Sequence, residues 1–294
     1  MKSLIYLCYG QESIFREATF SILSTLRFPI DKSIQIVVYS DRAECFADLG
    51  VNVRIVTDAE LNDWMGGSSY IYRRKIMAVI DALQRYGDSV AFIDCDTYFL
   101  KSPGLLFELI GPGRSCLHIA EGKLKEIRTR QSPRISQLIE SQEFFDLSGN
   151  KLVISPDAMV WNSGVLGVHS SDLSLMREAL NLCDQLWDRD QVTEPAEQRV
   201  HTWEQFATGV FLARNNLSEA SDIVFHYWRY HLRRPFTKDL EGIDSNLKNI
   251  KLPDRAYYAY ESRPRETVKN TVKIFVRTWM RRVGWRVPGI RTST

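Results

Sequence analysis

Within the first hundred residues, short apolar runs alternate with longer stretches of helical spacing, and this alternation leaves few folds open. Leu4-Ile-Tyr-Leu-Cys8 reads as a strand, Glu12 to Leu26 as a helix, Ile34 to Tyr39 as a strand, and Val51 to Val56 as a further alternating strand. Ile76, Val79, Ile80 and Leu83 recur at i, i+3, i+4 and i+7, which predicts an amphipathic helix over Tyr72 to Tyr86. Gly87-Asp88 ends that helix, and Val90-Ala-Phe-Ile93 follows as a buried strand. Strands separated by helices imply an α/β domain with a parallel sheet covered on both faces. Such sheets bind ligands outside the carboxyl ends of their strands.

At about 100–200 residues per domain, the 294-residue chain makes one large domain or two small ones. Its apolar share of 44% and charged share of 25% exclude wholesale disorder. The longest apolar run, Leu4 to Tyr9, is far short of the ~20 residues of a membrane span, and no small-residue cleavage site follows it. Cys8, Cys45, Cys95, Cys116 and Cys183 are scattered without a CxxC pair, which argues against a disulfide framework or thiolate metal cage. The expectation is a cytoplasmic protein. Beyond residue 100 the pattern loosens. Leu124 to Asp146 is polar, with two helical stretches expected around Pro133, and reads as an insertion or lid that shapes an acceptor site. Val165 to Val168 reads as a strand and Asp172 to Trp187 as a helix.

Charge is unevenly distributed. Residues 263–294 carry nine basic side chains against the single acid Glu266, a net +8, so the first 262 residues stand at −6 within a whole-chain charge of +2. Val268, Val272, Phe275, Trp279 and Val283 fall on one helical face, with Lys269, Lys273, Arg277 and Arg281 largely off it. This basic amphipathic C-terminal helix suits an anionic membrane surface, where each cation contributes about 1 kcal/mol. The acidic body makes nucleic acid a poor partner. The expected division is a domain over 1–262 and a tail over 263–294.

Phe92-Ile93-Asp94-Cys95-Asp96-Thr97 is the sharpest local feature. An apolar strand ends in two carboxylates at i and i+2, where a parallel sheet presents its ligand edge. Like charges side by side push one pKa up unless a cation shares the site. Paired hard oxygens suit Mg²⁺ or Mn²⁺, which take further ligands from substrate phosphates. His226 follows the apolar Ile223-Val-Phe225 and should also lie at a strand end; an imidazole beside two carboxylates favours Mn²⁺. Arg73, Arg74 and Lys75 open a helix, opposing its macrodipole, which hints at a use in neutralising phosphate. Each motif also has a plain structural reading: solvated loop acids, a solvated helix start, a histidine packed among Tyr227 and Trp228, a turn at Asn162-Ser163-Gly164. His118, His169, His201 and His231 show no convergent partners and read as structural or surface residues.

The basic helix start, then Phe-Ile-Asp-Cys-Asp-Thr, then Trp161-Asn-Ser-Gly-Val165, then Glu204-Gln205, then His226-Tyr-Trp228 resemble, in that order, the motifs of GT-A nucleotide-sugar glycosyltransferases, above all the family eight retaining group. The resemblance spans roughly residues 3–236. It implies a Rossmann-type mixed sheet flanked by helices and a hexosyltransferase type of activity. It also implies that Asp94 and Asp96, as a DxD motif, hold Mn²⁺ or Mg²⁺ against the donor diphosphate, with His226 as third ligand. Asn162, Ser163 and Gly164 match a segment near the donor sugar, and Glu204 and Gln205 match the acidic–Gln pair beside the transferred sugar. Arg234-Pro-Phe236 is similar to the family's Lys-Pro-Trp but lies two residues further from the histidine. The family's acidic base-binding motif after the first strand is replaced by Tyr9-Gly10. Tyr9 can stack on a base, and Asp41 can read its edge.

The expected function is metal-dependent transfer of a sugar from a nucleotide sugar, expected to be a UDP-sugar, to a lipid-linked or envelope-glycan acceptor at the inner membrane face. Retention asks for no strong base, and Glu204 then orients the donor; inversion would need Glu204 or Asp157 to take the acceptor proton. Two alternatives stay open. A sugar-nucleotidyltransferase would normally carry an N-terminal Gly-rich phosphate loop, whereas residues 1–30 hold only Gly10. A non-catalytic membrane- or anion-binding protein on the same scaffold would leave Asp94, Asp96 and His226 idle.

Overall fold

The computed structural model describes residues 1–126, 132–193 and 202–228. It opens with strand β1 (Lys2–Cys8), helix α1 (Glu12–Leu26), strands β2 (Ile34–Ser40) and β3 (Asn52–Ile55), short helix α2 (Asp58–Asp63), helix α3 (Arg73–Tyr86) and strand β4 (Ser89–Ile93). The strands and helices expected here are present within a residue or two of their expected ends. β1 and β4 are buried along nearly their whole length, so they read as unbroken apolar runs rather than alternating ones. Gly87, at φ 105°, adopts the backbone that lets the chain leave α3 and enter β4.

Strand β5 (Thr97–Phe99), helix α4 (Gly104–Glu108), strand β6 (Arg114–Lys123), helix α5 (Ser132–Ser141) and the paired β7 (Phe144–Phe145) and β8 (Lys151–Leu152) follow. Strand β9 (Met159–His169), helices α6 (Leu173–Thr193) and α7 (Trp203–Leu212), and strands β10 (Asn216–Glu219) and β11 (Val224–His226) complete the order. Pro133 sits in the first turn of α5, where its missing N–H costs nothing. The other helical stretch expected before it falls largely on 127–131, outside the described residues.

Seven strands form one sheet in the order β10-β6-β9-β4-β1-β2-β3. β3, β2, β1 and β4 run parallel, and β9 runs antiparallel to both β4 and β6. The strands of the first hundred residues run parallel as their alternation with helices predicts, and the sheet as a whole is the expected mixed α/β one. Strand direction is a property of the connections. β9 is as deeply buried as the parallel strands β1 and β4 and carries no apolar signature of its direction. On one face, α3, α6 and α7 set Ile76, Val79, Met176, Leu182 and Phe206 against Ile5, Val37, Phe92 and Leu166 in a common core.

Tyr6 points away from Ile5 by strand alternation, and its hydroxyl meets Ser21 Oγ at 3.1 Å and Thr25 Oγ1 at 3.2 Å on α1. Ser21 Oγ also meets Thr97 Oγ1 at 2.6 Å, while Ser24 Oγ accepts from the Phe99 N–H at 2.9 Å. This row of buried, satisfied hydroxyls holds β5 against α1. β5 pairs antiparallel with β11, setting Thr97 opposite His226. Among the described residues, no helix is long and apolar enough to cross a membrane. All five cysteines are free thiols. Met1–His226 forms one compact unit; the expected division at residue 262, the tail over 263–294 and Arg234 lie outside the described residues.

Candidate functional site

Past β4 the chain turns through Asp94, Cys95 and Asp96 into β5. The Asp94 N–H donates to the Gly164 carbonyl at 2.9 Å, extending the β4–β9 ladder one residue beyond the strand. β11 ends at His226 beside the start of β5. Two strand ends thereby bring Asp94, Asp96 and His226 together, with one ligand atom from each lying within 4.8 Å of the others. His226 Nε2 stands 3.1 Å from Asp96 Oδ1 and 3.8 Å from Asp94 Oδ2.

The hydrogen bonds around His226 define its two nitrogens. Asn162 Oδ1 accepts from the Gly164 N–H at 3.0 Å, which fixes it as the oxygen end of the amide, and it lies 2.8 Å from His226 Nδ1. Nδ1 must therefore carry the hydrogen. Nε2 is left facing two carboxylates, an arrangement satisfied only by a proton on Nε2 or by a cation among the three groups. The donor set of one imidazole and two carboxylates fits Mn²⁺, and its oxygens fit Mg²⁺.

An irregularity in the sheet makes this meeting possible. Leu117 pairs with Leu166, but Ile119 pairs with Asn162, so β9 carries extra residues opposite His118. Bulges of this kind re-aim side chains. Here the bulge covers Ser163 and Gly164. A Cβ on Gly164 would overlap the His226 imidazole, so the ring's position depends on that residue being glycine. His118 is buried in the same place, with its ring edge-on to His226 at 5.4 Å and its Nε2 3.0 Å from the Val224 carbonyl. Burial, with His226 beside it, pushes its pKa down to about 3. The expectation that His118 has no convergent partners is thus corrected; those partners are distant in sequence and no motif surrounds it. His169 bonds only locally, to Ser171, while His201 and His231 lie outside the described residues.

Lys75 reaches the same cluster. Its Nζ lies 2.8 Å from the Asp94 carboxylate, 3.2 Å from Ser163 Oγ and 4.0 Å from Glu204 Oε1. Burial would lower its pKa, but Asp94 and Glu204 more than offset this and hold the ammonium above the usual lysine range. Glu204 is buried near the N-terminus of α7, and burial raises its carboxyl despite Lys75. Tyr70 donates to Glu204 Oε2 at 2.6 Å, accepts from the Glu204 N–H at 3.1 Å, and stacks on Trp187 at 4.6 Å. Gln205 Oε1 accepts from the Ser163 N–H at 3.2 Å. Tyr70 is a site residue the sequence did not mark: it precedes the helix and carries no motif.

The remaining expected residues are spread more widely. Arg73 is spent on Asp184, at 2.7 and 3.0 Å, and on the Trp64 carbonyl at 2.7 Å. Arg74 is buried, donates to the Leu61 carbonyl at 2.7 Å and covers the Tyr9 ring at 4.9 Å. Asp41 accepts from the Gly10 N–H at 3.3 Å, so Tyr9, Gly10 and Asp41 gather at the carboxyl ends of β1 and β2. Asp157 lies on an exposed turn and pairs with Lys125 at 2.6 Å.

No protein-family model and no curated protein matches the chain. Among solved structures, the apo form of mouse xyloside xylosyltransferase 1 is similar over 74% of this chain and 85% of that one, at 14% identity and a TM-score of 0.44.

Proposed function

We propose that the protein is a metal-dependent glycosyltransferase that moves a sugar from a nucleotide sugar to a lipid-linked or envelope-glycan acceptor at the inner face of a membrane. The observation that carries this reading is the convergence of Asp94, Asp96 and His226 Nε2 at the carboxyl edge of the sheet, with the proton of His226 held on the opposite nitrogen. The ordered motifs around it support the same reading. Asp94, Asp96 and His226 would hold Mn²⁺ or Mg²⁺, and the bound ion supplies positive charge against a donor diphosphate.

The chain's own residues then divide the work. Lys75 holds Asp94 in place and keeps compensating charge next to Glu204. Glu204, fixed by Tyr70, orients the donor sugar, and Gln205 holds the Ser163 backbone beside it. Tyr9, Gly10 and Asp41 receive the base, and Arg74 backs the Tyr9 ring. Under retention of configuration no strong protein base is needed, which accords with Glu204 being committed to Tyr70 and Lys75. The basic tail over 263–294 brings the enzyme to anionic lipid. Calorimetric titration of a panel of nucleotide sugars, with and without Mn²⁺, tests the proposal on wild type and Asp96→Ala. Metal-dependent binding of one donor that disappears in the variant supports it; a folded wild type that binds no donor refutes it.

A further inference from the structure

Glu204 is held from two directions, and both holds trace back to one face of α6. Trp187 and Asp190 lie three residues apart on that helix, one turn from each other. Trp187 stacks on Tyr70, whose hydroxyl donates to Glu204 Oε2 and accepts from the Glu204 N–H. Asp190 is fully buried, and its Oδ2 accepts from Trp203 Nε1 at 3.1 Å, so it fixes the residue next to Glu204 at the start of α7. The other oxygen of Asp190 faces the insertion: Oδ1 accepts from Arg134 Nε on α5 at 3.0 Å. Ile135 and Leu138 seat the same helix in the core.

We propose that Arg134, Asp190 and Trp203 form an interlock through which the seating of α5 positions Glu204. The inference rests on the glycosyltransferase reading, in which the insertion shapes the acceptor site and Glu204 orients the donor sugar, and it joins those two tasks. Its physical basis is an asymmetry. Breaking a buried ion pair from one side leaves an uncompensated charge inside the protein. Arg134 keeps some exposure, and its guanidinium also reaches Gln137 Oε1 at 3.2 Å, so it can turn to water. Asp190 has no such escape. With α5 out of place, Asp190 must turn toward solvent and Trp203 loses its acceptor. A neutral acceptor at 190 would satisfy Trp203 without demanding a cation, so it is the charge that makes the start of α7 answer to α5. All three side chains act through Glu204 and are positioning residues.

The test uses the full chain, ¹⁵N-labelled, and reads hydrogen exchange by nuclear magnetic resonance at the Glu204 amide and the Trp203 indole N–H, against amides of the β1–β2 ladder. In Arg134→Met both site signals should exchange about tenfold faster or more, with the ladder amides changing much less, because the opening is local. Arg134→Lys restores a cation and should recover most of the protection. Combining Arg134→Met with Asp190→Asn separates the interlock from a simple stabilising bond. Asparagine still accepts from Trp203 and strands no charge, so the second substitution should slow the exchange again although α5 has lost its ion pair. A bond that only adds stability would leave the double variant no better protected than Arg134→Met. That result, a rise spread equally over the site and the ladder, or site signals in Arg134→Met that match wild type would each overturn the interlock. A chain that shows the expected order but binds no nucleotide sugar in the calorimetric panel keeps the interlock and loses the transferase.

Discussion

Gly164→Ala isolates the contact on which the site's geometry turns. Gly164 lies within β9 and has no left-handed φ, so alanine meets no backbone penalty there. The cost is a collision: the added methyl would occupy the space of the His226 ring. His226 is only 5% exposed and packed on all sides, so it can escape only by leaving its rotamer or pushing β11 away from β9. Overpacking of this kind costs about 1–3 kcal/mol, and losing the bond to Asn162 Oδ1 adds about 0.5–1.5 kcal/mol. At roughly 2–4 °C per kcal/mol for a unit of this size, Tm should fall by about 3–18 °C.

The same substitution displaces one of three candidate ligands, so Mn²⁺ affinity should fall at least about tenfold. Gly104→Ala is the control. A Cβ there has Ser102 Oγ as its nearest neighbour at 3.6 Å, an ordinary contact, and it lies in α4, where alanine is the better helix former. Differential scanning calorimetry and Mn²⁺ titration of both variants decide the matter. If Gly164→Ala melts with the wild type and binds Mn²⁺ equally well, His226 does not sit over Gly164 and the reasoning fails.

Glu204→Gln tests the electrostatics of the inner site. Burial holds the Glu204 pKa above its ordinary value of 4.5, so stability is fully present below that value and is lost as pH rises through the higher folded value. Glutamine keeps an acceptor for Tyr70 without ionising, so the melting difference, variant minus wild type, should rise with pH across that window and then level; a flat or falling difference refutes it. Arg73→Met removes three hydrogen bonds that tie α3 to Asp184 on α6 and to the Trp64 carbonyl, and should cost about 2–4 kcal/mol in urea unfolding. A loss within the error of the titration would show the clamp to be idle. Deleting residues 263–294 should release the protein from anionic liposomes in a flotation assay, and unchanged flotation would exclude the tail as the membrane contact.

How much of this was readable in advance depends on the range over which each feature is encoded. The elements up to β4 were legible because strand and helix periodicity is a local property, and Asp94 and Asp96 were legible because both follow one apolar run. His226 could be placed at a strand end for the same reason. Its partner strand could not be read, because the pairing of β11 with β5 is decided by hydroxyls on α1, seventy-odd residues earlier in the chain. The antiparallel course of β9 and the bulge opposite His118 leave no mark on hydrophobic pattern. Arg73, Arg74 and Lys75 illustrate the limit most clearly. They are three consecutive cations with the same apparent purpose, yet helical geometry turns them about 100° apart. One clamps α6, one backs Tyr9, and Lys75 alone reaches the carboxylates. A charge cluster in sequence becomes a site only where the fold converges its members, and here that convergence is made by Gly164, Asn162 and Tyr70, residues whose chemistry is supporting rather than reactive.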